Sequence, residues 1–552
     1  MAVKVKRYVA DFETTTDPSD VRVWASGLCE IETGEVCFIG NDIESFFNYL
    51  KNKNSVVYFH NLKFDGEFIL SYLLRNGYKW NDSREAKTFN TLITDSGIFY
   101  SITVFFEKKN KQYKKVVFYD SYKKLPFKVS VIAKAFNLEM SKLSIDYDAP
   151  RPKGHILTDE EREYLIADLK IVAEALKIQF NQGLKKMTNA SDALTGYKKL
   201  NEGRFEKWFP VLPVELDTDI RQAYKGGFTF LAHRFKNKTV SEGVTLDVNS
   251  LYPWVMYTKL LPYGYPVFFE GEPVPDEKYP LFIIHMKCGF KLKKKHIPTI
   301  QLKNSFRFIP TDYIEDSITD DVELHLTSVD YQLFLDHYEI YNPEYINGWK
   351  FKGTTGMFTE YIDYWMHIKE TNTGALRQLA KLMLNSLYGK FATNPKSRQK
   401  EPILDSDGIV RYTVTKPELR DPVYTVMGCF ITAYAREKTI RSAQSVYDRF
   451  IYADTDSLHL TGSELPDMEI HPTRLGAWKH EGTFTKGKYI RAKTYLETID
   501  GVDHVTCAGM PDNIKEMVTY DNFHPGSTFD GKLMPKRFPG GVVLMPTTFT
   551  IN

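Results

Sequence analysis

Two kinds of hydrophobic spacing alternate along this chain. Near the N-terminus, Tyr8-Val9-Ala10-Asp11-Phe12 and Val56-Val57-Tyr58-Phe59 are short runs of β-branched and aromatic residues, the make-up of strands. Glu67 to Arg75 keeps helical spacing and stops at Asn76-Gly77. Thr158 followed by Glu161 is a capping-box pattern, so a long helix is expected from Thr158 through Tyr164, Asp168 and Val172 toward Gly183. Residues 1–187 therefore read as α/β.

A Gly-rich turn follows at Tyr224-Lys225-Gly226-Gly227, and residues 244–257 return to strand and turn. The stretch 259–356 mixes short strands with Pro, Asp and aromatics, and holds the basic run Lys291 to His296. Two helical stretches flank Thr371-Asn372-Thr373-Gly374, predicting a helical hairpin over 358–391. Residues 393–422 are polar and turn-rich. Arg449-Phe450-Ile451-Tyr452 and Leu458-His459-Leu460 then bracket Asp454-Thr455-Asp456 as a β-hairpin. The stretch 508–552 shows turn signals and a few basic residues.

Composition narrows the class. The 552 residues are 43% hydrophobic and 14% aromatic, enough for several folded cores. Net charge is only +2, so binding to a polyanion would need local patches rather than bulk charge. The cysteines (Cys29, Cys37, Cys288, Cys429, Cys507) are scattered, odd in number and free of any CxxC pair. That pattern argues against a disulfide framework and a structural zinc site, and points to a reducing, cytoplasmic setting. No run of about 18 apolar residues occurs, so no membrane partner is expected.

The acids carry the chemistry. Asp11-Phe12-Glu13 puts two carboxylates on one strand face. Asp65 follows Asn61-Leu62-Lys63-Phe64 in an expected loop, and Asp168 lies one helical turn after Tyr164. Four acids brought together repel unless they hold cations. Two divalent ions can clamp a phosphate and generate hydroxide from water, which Tyr164 would help orient. A second set lies downstream: Asp247, ending the run Val244-Thr245-Leu246, with Asp454 and Asp456. Between them, Arg377, Lys381, Asn385 and Tyr388 share one helix face, where cations suit a triphosphate and Tyr388 offers a stacking platform.

The first set resembles the 3′–5′ exonuclease domains of proofreading DNA polymerases, of the DEDD type with tyrosine. That resemblance implies Asp11, Glu13, Asp65 and Asp168 as metal ligands. It implies Thr14, His60, Asn61, Phe64, Ser121, Lys142 and Tyr147 as handlers of a single-stranded primer end. DVNSLYP at 247–253, KLMLNSLYGKF at 381–391 and YADTDS at 452–457 resemble motifs A, B and C of family B DNA polymerases, in order, and Lys493-Thr494-Tyr495 resembles the Lys-x-Tyr motif. By resemblance, Asp247, Val248 and Asp456 hold metal, with Asp454 close by. Tyr252 rejects a ribose 2′-OH, and Lys369, Arg377 and Lys381 meet the incoming triphosphate. Asn385 and Tyr388 shape the nascent pair, and Lys493 and Tyr495 hold the primer.

Two insertions and the Tyr224, Gly226, Gly227 motif resemble the protein-primed branch, and within it the phi-twenty-nine-like phage polymerases. The implied architecture is α/β and α+β. A ribonuclease H-like exonuclease domain (1–187) precedes a palm (188–258, 423–507), two terminal-protein regions (259–356, 393–422), fingers (357–392) and thumb (508–552). The implied cofactor is Mg²⁺, two ions per site, with Mn²⁺ able to substitute. The implied partners are primer-template DNA, dNTPs and a terminal protein, which joins an otherwise monomeric enzyme at initiation. The resemblance departs at 496–507, a short segment, and at Tyr122, where leucine is usual. An ordinary DNA- or RNA-primed replicase, a nuclease with a non-polymerising C-terminal module and a non-catalytic DNA-binding scaffold stand as alternatives.

Overall fold

The computed structural model describes residues 5–81, 83–109, 112–301, 313–319 and 321–552. Its first unit is a mixed sheet with Lys6–Thr14 and Ser55–Phe59 as parallel neighbours, and Gln112–Asp120 parallel beyond them. Val23–Glu30 pairs antiparallel on the other side, with Asp11 opposite Gly27. The Asp159–Asn181 helix packs on these first strands and starts with the expected capping box, Thr158 with Glu161. A side chain at Gly27 would meet Leu169 at 2.6 Å. The bare backbone there lets the helix sit down on the strand, which carries Asp168 toward Asp11.

The second unit is an antiparallel sheet in the order Val502–Cys507, Thr494–Ile499, Trp478–Arg491, Gly243–Val248, Ser457–Thr461, Phe450–Asp454, Thr229–Leu231. Gly243–Val248 is central, so Asp247 lies opposite both Ser457 and Lys479. Behind it runs the Thr425–Ser445 helix, buried through most of its length, with an apolar first half and polar residues scattered through its second half. Its lack of an amphipathic stripe is why sequence periodicity does not announce it. The helices Thr359–Thr371 and Gly374–Ser386 form the expected hairpin.

Several local expectations are corrected. Asp65 stands in the first turn of a helix, Leu62–Arg75, rather than in a loop. Asn61 there has φ 74°, and Asp120 Oδ1 accepts from the backbone N–H groups of Asn61 (3.1 Å) and Leu62 (3.3 Å). A distant carboxylate thus caps this helix, and no local N-cap signal is needed. The DVNSLYP turn leads straight into a helix, Leu251–Thr258, with Pro253 in its first turn.

Three of the strands described within 259–356 are long, and only Val322–Thr327 is short as expected. Leu261–Glu270, Tyr338–Thr354, Leu281–Leu292 and Val322–Thr327 form one sheet in that order, with a helix at Ser328–His337. Bulges in the pairing break the alternation that would have revealed their length. The 393–422 segment is built of two small ladders, and 508–552 ends in a long hairpin, Thr528–Phe538 with Gly541–Thr550. The tip of that hairpin reaches the Leu62–Arg75 helix. There buried Glu67 accepts from Arg537 Nε (2.9 Å) and Tyr412 Oη (3.0 Å), joining three distant stretches of chain.

Candidate functional sites

The N-terminal acids meet at the end of the mixed sheet. Glu13, Asp65 and Asp168 are 7%, 5% and 6% exposed. Burial, then the charge of Asp168, pushes the Asp11 carboxyl up to about 7. Glu13 and Asp65 are raised well above the usual carboxylate range, first by burial and then by Asp11. Asp168 is also raised by burial, although Lys142 Nζ donates to its Oδ2 at 2.6 Å. Its Oδ1 is buried without a hydrogen-bond partner. Four desolvated carboxylates, one with an orphaned oxygen, are an oxygen donor set that fits hard divalent cations.

Around the acids stand the predicted strand-handling groups. The hydroxyls of Tyr147 and Tyr164 are 2.7 Å apart, and Lys142 Nζ lies 5.2 Å from the centre of the Tyr164 ring. Tyr164 is buried while Tyr147 is half exposed, so the pair links the acids to the surface. Burial lowers the pKa of His60, so its ring is held neutral. Its Nδ1 is within 3.0 Å of Ser121 Oγ and its Nε2 within 2.7 Å of the Phe127 carbonyl. Both nitrogens are engaged, which makes His60 a support for the Asn61 turn. Phe64 rests against Phe68 (5.8 Å between centroids) and keeps part of its ring exposed. Thr14 ends the first strand at a bulge beside Glu13.

The second site is a cleft of about 610 Å³ between the antiparallel sheet and the helical hairpin. Asp247, Val248, Tyr252, Lys369, Arg377, Lys381, Asn385, Tyr388 and Asp456 all line it, as their motifs anticipate. Burial and then Asp456 push the Asp247 carboxyl up to about 7. Asp456 is raised by burial too, with Lys493 and Lys381 opposing. Val248 N–H donates to the Asp456 carbonyl (2.8 Å), which locks the two motifs in register. Tyr252 and Tyr388 stack at 3.9 Å and 18°. Lys369 Nζ donates to Ser250 Oγ (3.0 Å), tying the helical hairpin to the Asp247 turn. Two paired acids facing fixed cations fit divalent ions bound to a phosphate.

Asp454 stands beside this cleft, not in its lining. It accepts from Lys493 Nζ (2.6 Å), Thr229 Oγ1 (3.0 Å) and Tyr452 Oη (3.2 Å). Tyr495 is half-buried, packed against Tyr452, His459 and Tyr489, so its ring braces the hairpin from below. A side chain at Gly227 would meet Thr455 Oγ1 at 2.4 Å, so only glycine lets this loop pass the Asp454-Thr455-Asp456 turn. Tyr224, in the same loop, is largely buried and lies near Tyr388.

Sequence reasoning missed four groups that line the cleft: Gln378, Pro472, Lys479 and Glu481. Lys479 and Glu481 alternate along a strand after Trp478, but only pairing with Asp247 gives that alternation a meaning. It also missed the buried pair Arg436 and Asp330. Arg436 Nη1 donates to the carbonyls of Lys225 and Gly226 (2.8 Å each), so this pair clamps the Gly226-Gly227 loop.

Comparison with known proteins places the chain. The family described as DNA polymerase type B, organellar and viral, matches residues 48–159 and 149–475. The DNA polymerase of Bacillus phage phi29 is 49% identical, with 99% of each chain covered. That of Streptococcus phage Cp-1 is 33% identical over 99% of this chain and 98% of its own. A structure of phi29 DNA polymerase complexed with primer-template DNA and incoming nucleotide substrates superimposes with a TM-score of 0.95, at 48% identity, covering 99% of this chain and 100% of that one. The chain therefore belongs to the type B DNA polymerases and, within them, is a DNA-directed DNA polymerase of the phi29 phage type.

Proposed function

We propose that this polymerase replicates a linear phage genome by protein priming, displaces the strand ahead of it and proofreads with a 3′–5′ exonuclease. The observation that carries the reading is the cleft in which Asp247 and Asp456 face Lys369, Arg377 and Lys381 across stacked Tyr252 and Tyr388. In this reading the acids and the Val248 backbone hold two Mg²⁺ ions, for which Mn²⁺ can substitute. Bound there, divalent cations lower the pKa of the attacking hydroxyl and neutralise charge on the leaving phosphate. Lys369, Arg377 and Lys381 grip the triphosphate. Asn385 and Tyr388 test the new pair, and the Tyr252 ring occupies the space a ribose 2′-OH would need. Lys493, braced by Asp454, steadies the primer strand.

At the N-terminal site Asp11, Glu13, Asp65 and Asp168 bind the same class of ion. Tyr164, held by Tyr147, orients the attacking water, and Lys142 offsets phosphate charge. Phe64 and Asn61 receive an unpaired end, since stacking on an aromatic ring is tolerant of sequence. A mismatch lowers the cost of fraying and shifts the end toward this site. The 259–356 insertion grips the terminal protein and downstream duplex, and 393–422 closes a ring that parts the strands. The Glu67, Tyr412 and Arg537 joint supports that ring.

A labelled primer on a template with a downstream duplex block tests the reading. Extension through the block, with shortening when dNTPs are withheld, is the expected result. Arrest at the block removes strand displacement. Incubation with terminal protein and a labelled dNTP tests priming. A labelled protein product supports it, and none returns the enzyme to the ordinary replicase class.

A further inference from the structure

Outside both sites, a third group of ligand-type side chains converges. His285, Glu323 and His325 each offer a donor atom, and these atoms all lie within 4.8 Å of one another. Among the described residues, neither carboxylate set is drawn together so tightly. The trio follows from sheet register. His285 on Leu281–Leu292 is directly opposite His325 on Val322–Thr327, and Glu323 precedes His325 by two residues, on the same face. The imidazoles stack at 4.2 Å and 12°. His285 Nε2 lies 2.5 Å from Glu323 Oε1. On the opposite face Ile284, Met286, Leu324 and Leu326 fill a core, which fixes both strands in place.

We propose that His285, Glu323 and His325 form a binding site for a zinc-class transition-metal ion. Two imidazole nitrogens and one carboxylate oxygen are the donor set such ions prefer, whereas hard cations favour oxygen alone. Two imidazoles in parallel contact cannot both be charged at low cost, and a ligand imidazole must be neutral. Glu323 is 61% exposed and His285 20%, so the trio opens to solvent and leaves a coordination position for water.

The placement gives the site a role. Val322–Thr327 is the edge strand of its sheet, and His285 lies on its inner neighbour. An ion held between them would staple the edge strand to that neighbour. This assignment is independent of the priming and proofreading readings.

Equilibrium dialysis of the full chain against Zn²⁺, in saturating Mg²⁺ to occupy the carboxylate sites, tests the assignment. Wild type is expected to hold one more equivalent of Zn²⁺ than His325→Gln, and His504→Gln, on an exposed strand, should match wild type. Zn²⁺ should raise the melting temperature of wild type and leave that of His325→Gln unmoved. Should His325→Gln fail to fold by circular dichroism, Glu323→Gln replaces it, with binding weakened at least about tenfold. Equal zinc uptake by wild type and a folded His325→Gln or Glu323→Gln chain, or no uptake above background, overturns the site.

Discussion

The two carboxylate sites of this polymerase hold acids in contrasting surroundings. At the N-terminal site four acids crowd under a helix, and the cation drawn to them, Lys142, comes from a segment with no regular structure. In the C-terminal cleft Asp247, Asp456 and Glu481 face Lys369, Arg377, Lys381 and Lys479, fixed on two helices and a strand. Rigidly mounted cations suit a ligand that arrives highly charged, such as a triphosphate. A site with a single cation suits a single phosphodiester, where excess negative charge would be repelled. The two carboxylate sets thus differ most in the counter-charges mounted around them.

The strongest test separates the sites by substitution. Asp456→Asn should lower primer extension by about 10³-fold, the effect of losing about 4 kcal/mol of charge stabilisation, and leave shortening intact. Asp11→Ala with Glu13→Ala should do the reverse, both read on one labelled primer. If either variant lost both activities equally, the sites would not be separate. Next in size is Tyr252→Val, expected to relax discrimination against ribonucleotides by about 10- to 100-fold, measured as a ratio of kcat/KM values. Shortening should not change.

A smaller effect compares charge tolerance. The folded Asp247 carboxyl titrates near 7 and an unfolded one near about 4, so the folded chain binds a proton that the unfolded chain releases between these values. In chelator, stability at this position is therefore greatest at low pH and falls as pH rises through 7. Asp247→Asn should flatten that fall and stabilise the metal-free protein at pH 8 by about 1–2 kcal/mol, discounted for partial solvent screening. Urea denaturation at pH 5 and pH 8 gives the answer, and a steeper fall in the variant would contradict it. The smallest expected change is Thr158→Ala, which removes the N-cap of the helix carrying Tyr164 and Asp168. A loss of about 1 kcal/mol in unfolding, with shortening weakened and extension unchanged, would tie that cap to the first site alone.

Legibility differed between the regions for physical reasons. The Asp159–Asn181 helix and the Asp454-Thr455-Asp456 hairpin were readable because caps and turn residues act locally. The Leu62–Arg75 helix start was not, because Asp120 caps it from a separate strand. The Thr425–Ser445 helix was hidden because its apolar residues cluster in the buried first half instead of forming a stripe, so there is no face for periodicity to detect. Of the C-terminal cleft, the motif residues were legible and Gln378, Pro472, Lys479 and Glu481 were not.

The sequence by itself determined which residues carry charge and chemistry, and where short-range signals start a helix or turn a hairpin. Only the tertiary structure decided that Asp247 meets Asp456, that Lys479 joins them, that Asp454 turns aside to Lys493, and that His285 faces His325. Strand register and helix docking are set by long-range packing. A one-residue slip in register would carry each of these side chains to the other face of its sheet, and no local pattern encodes that choice.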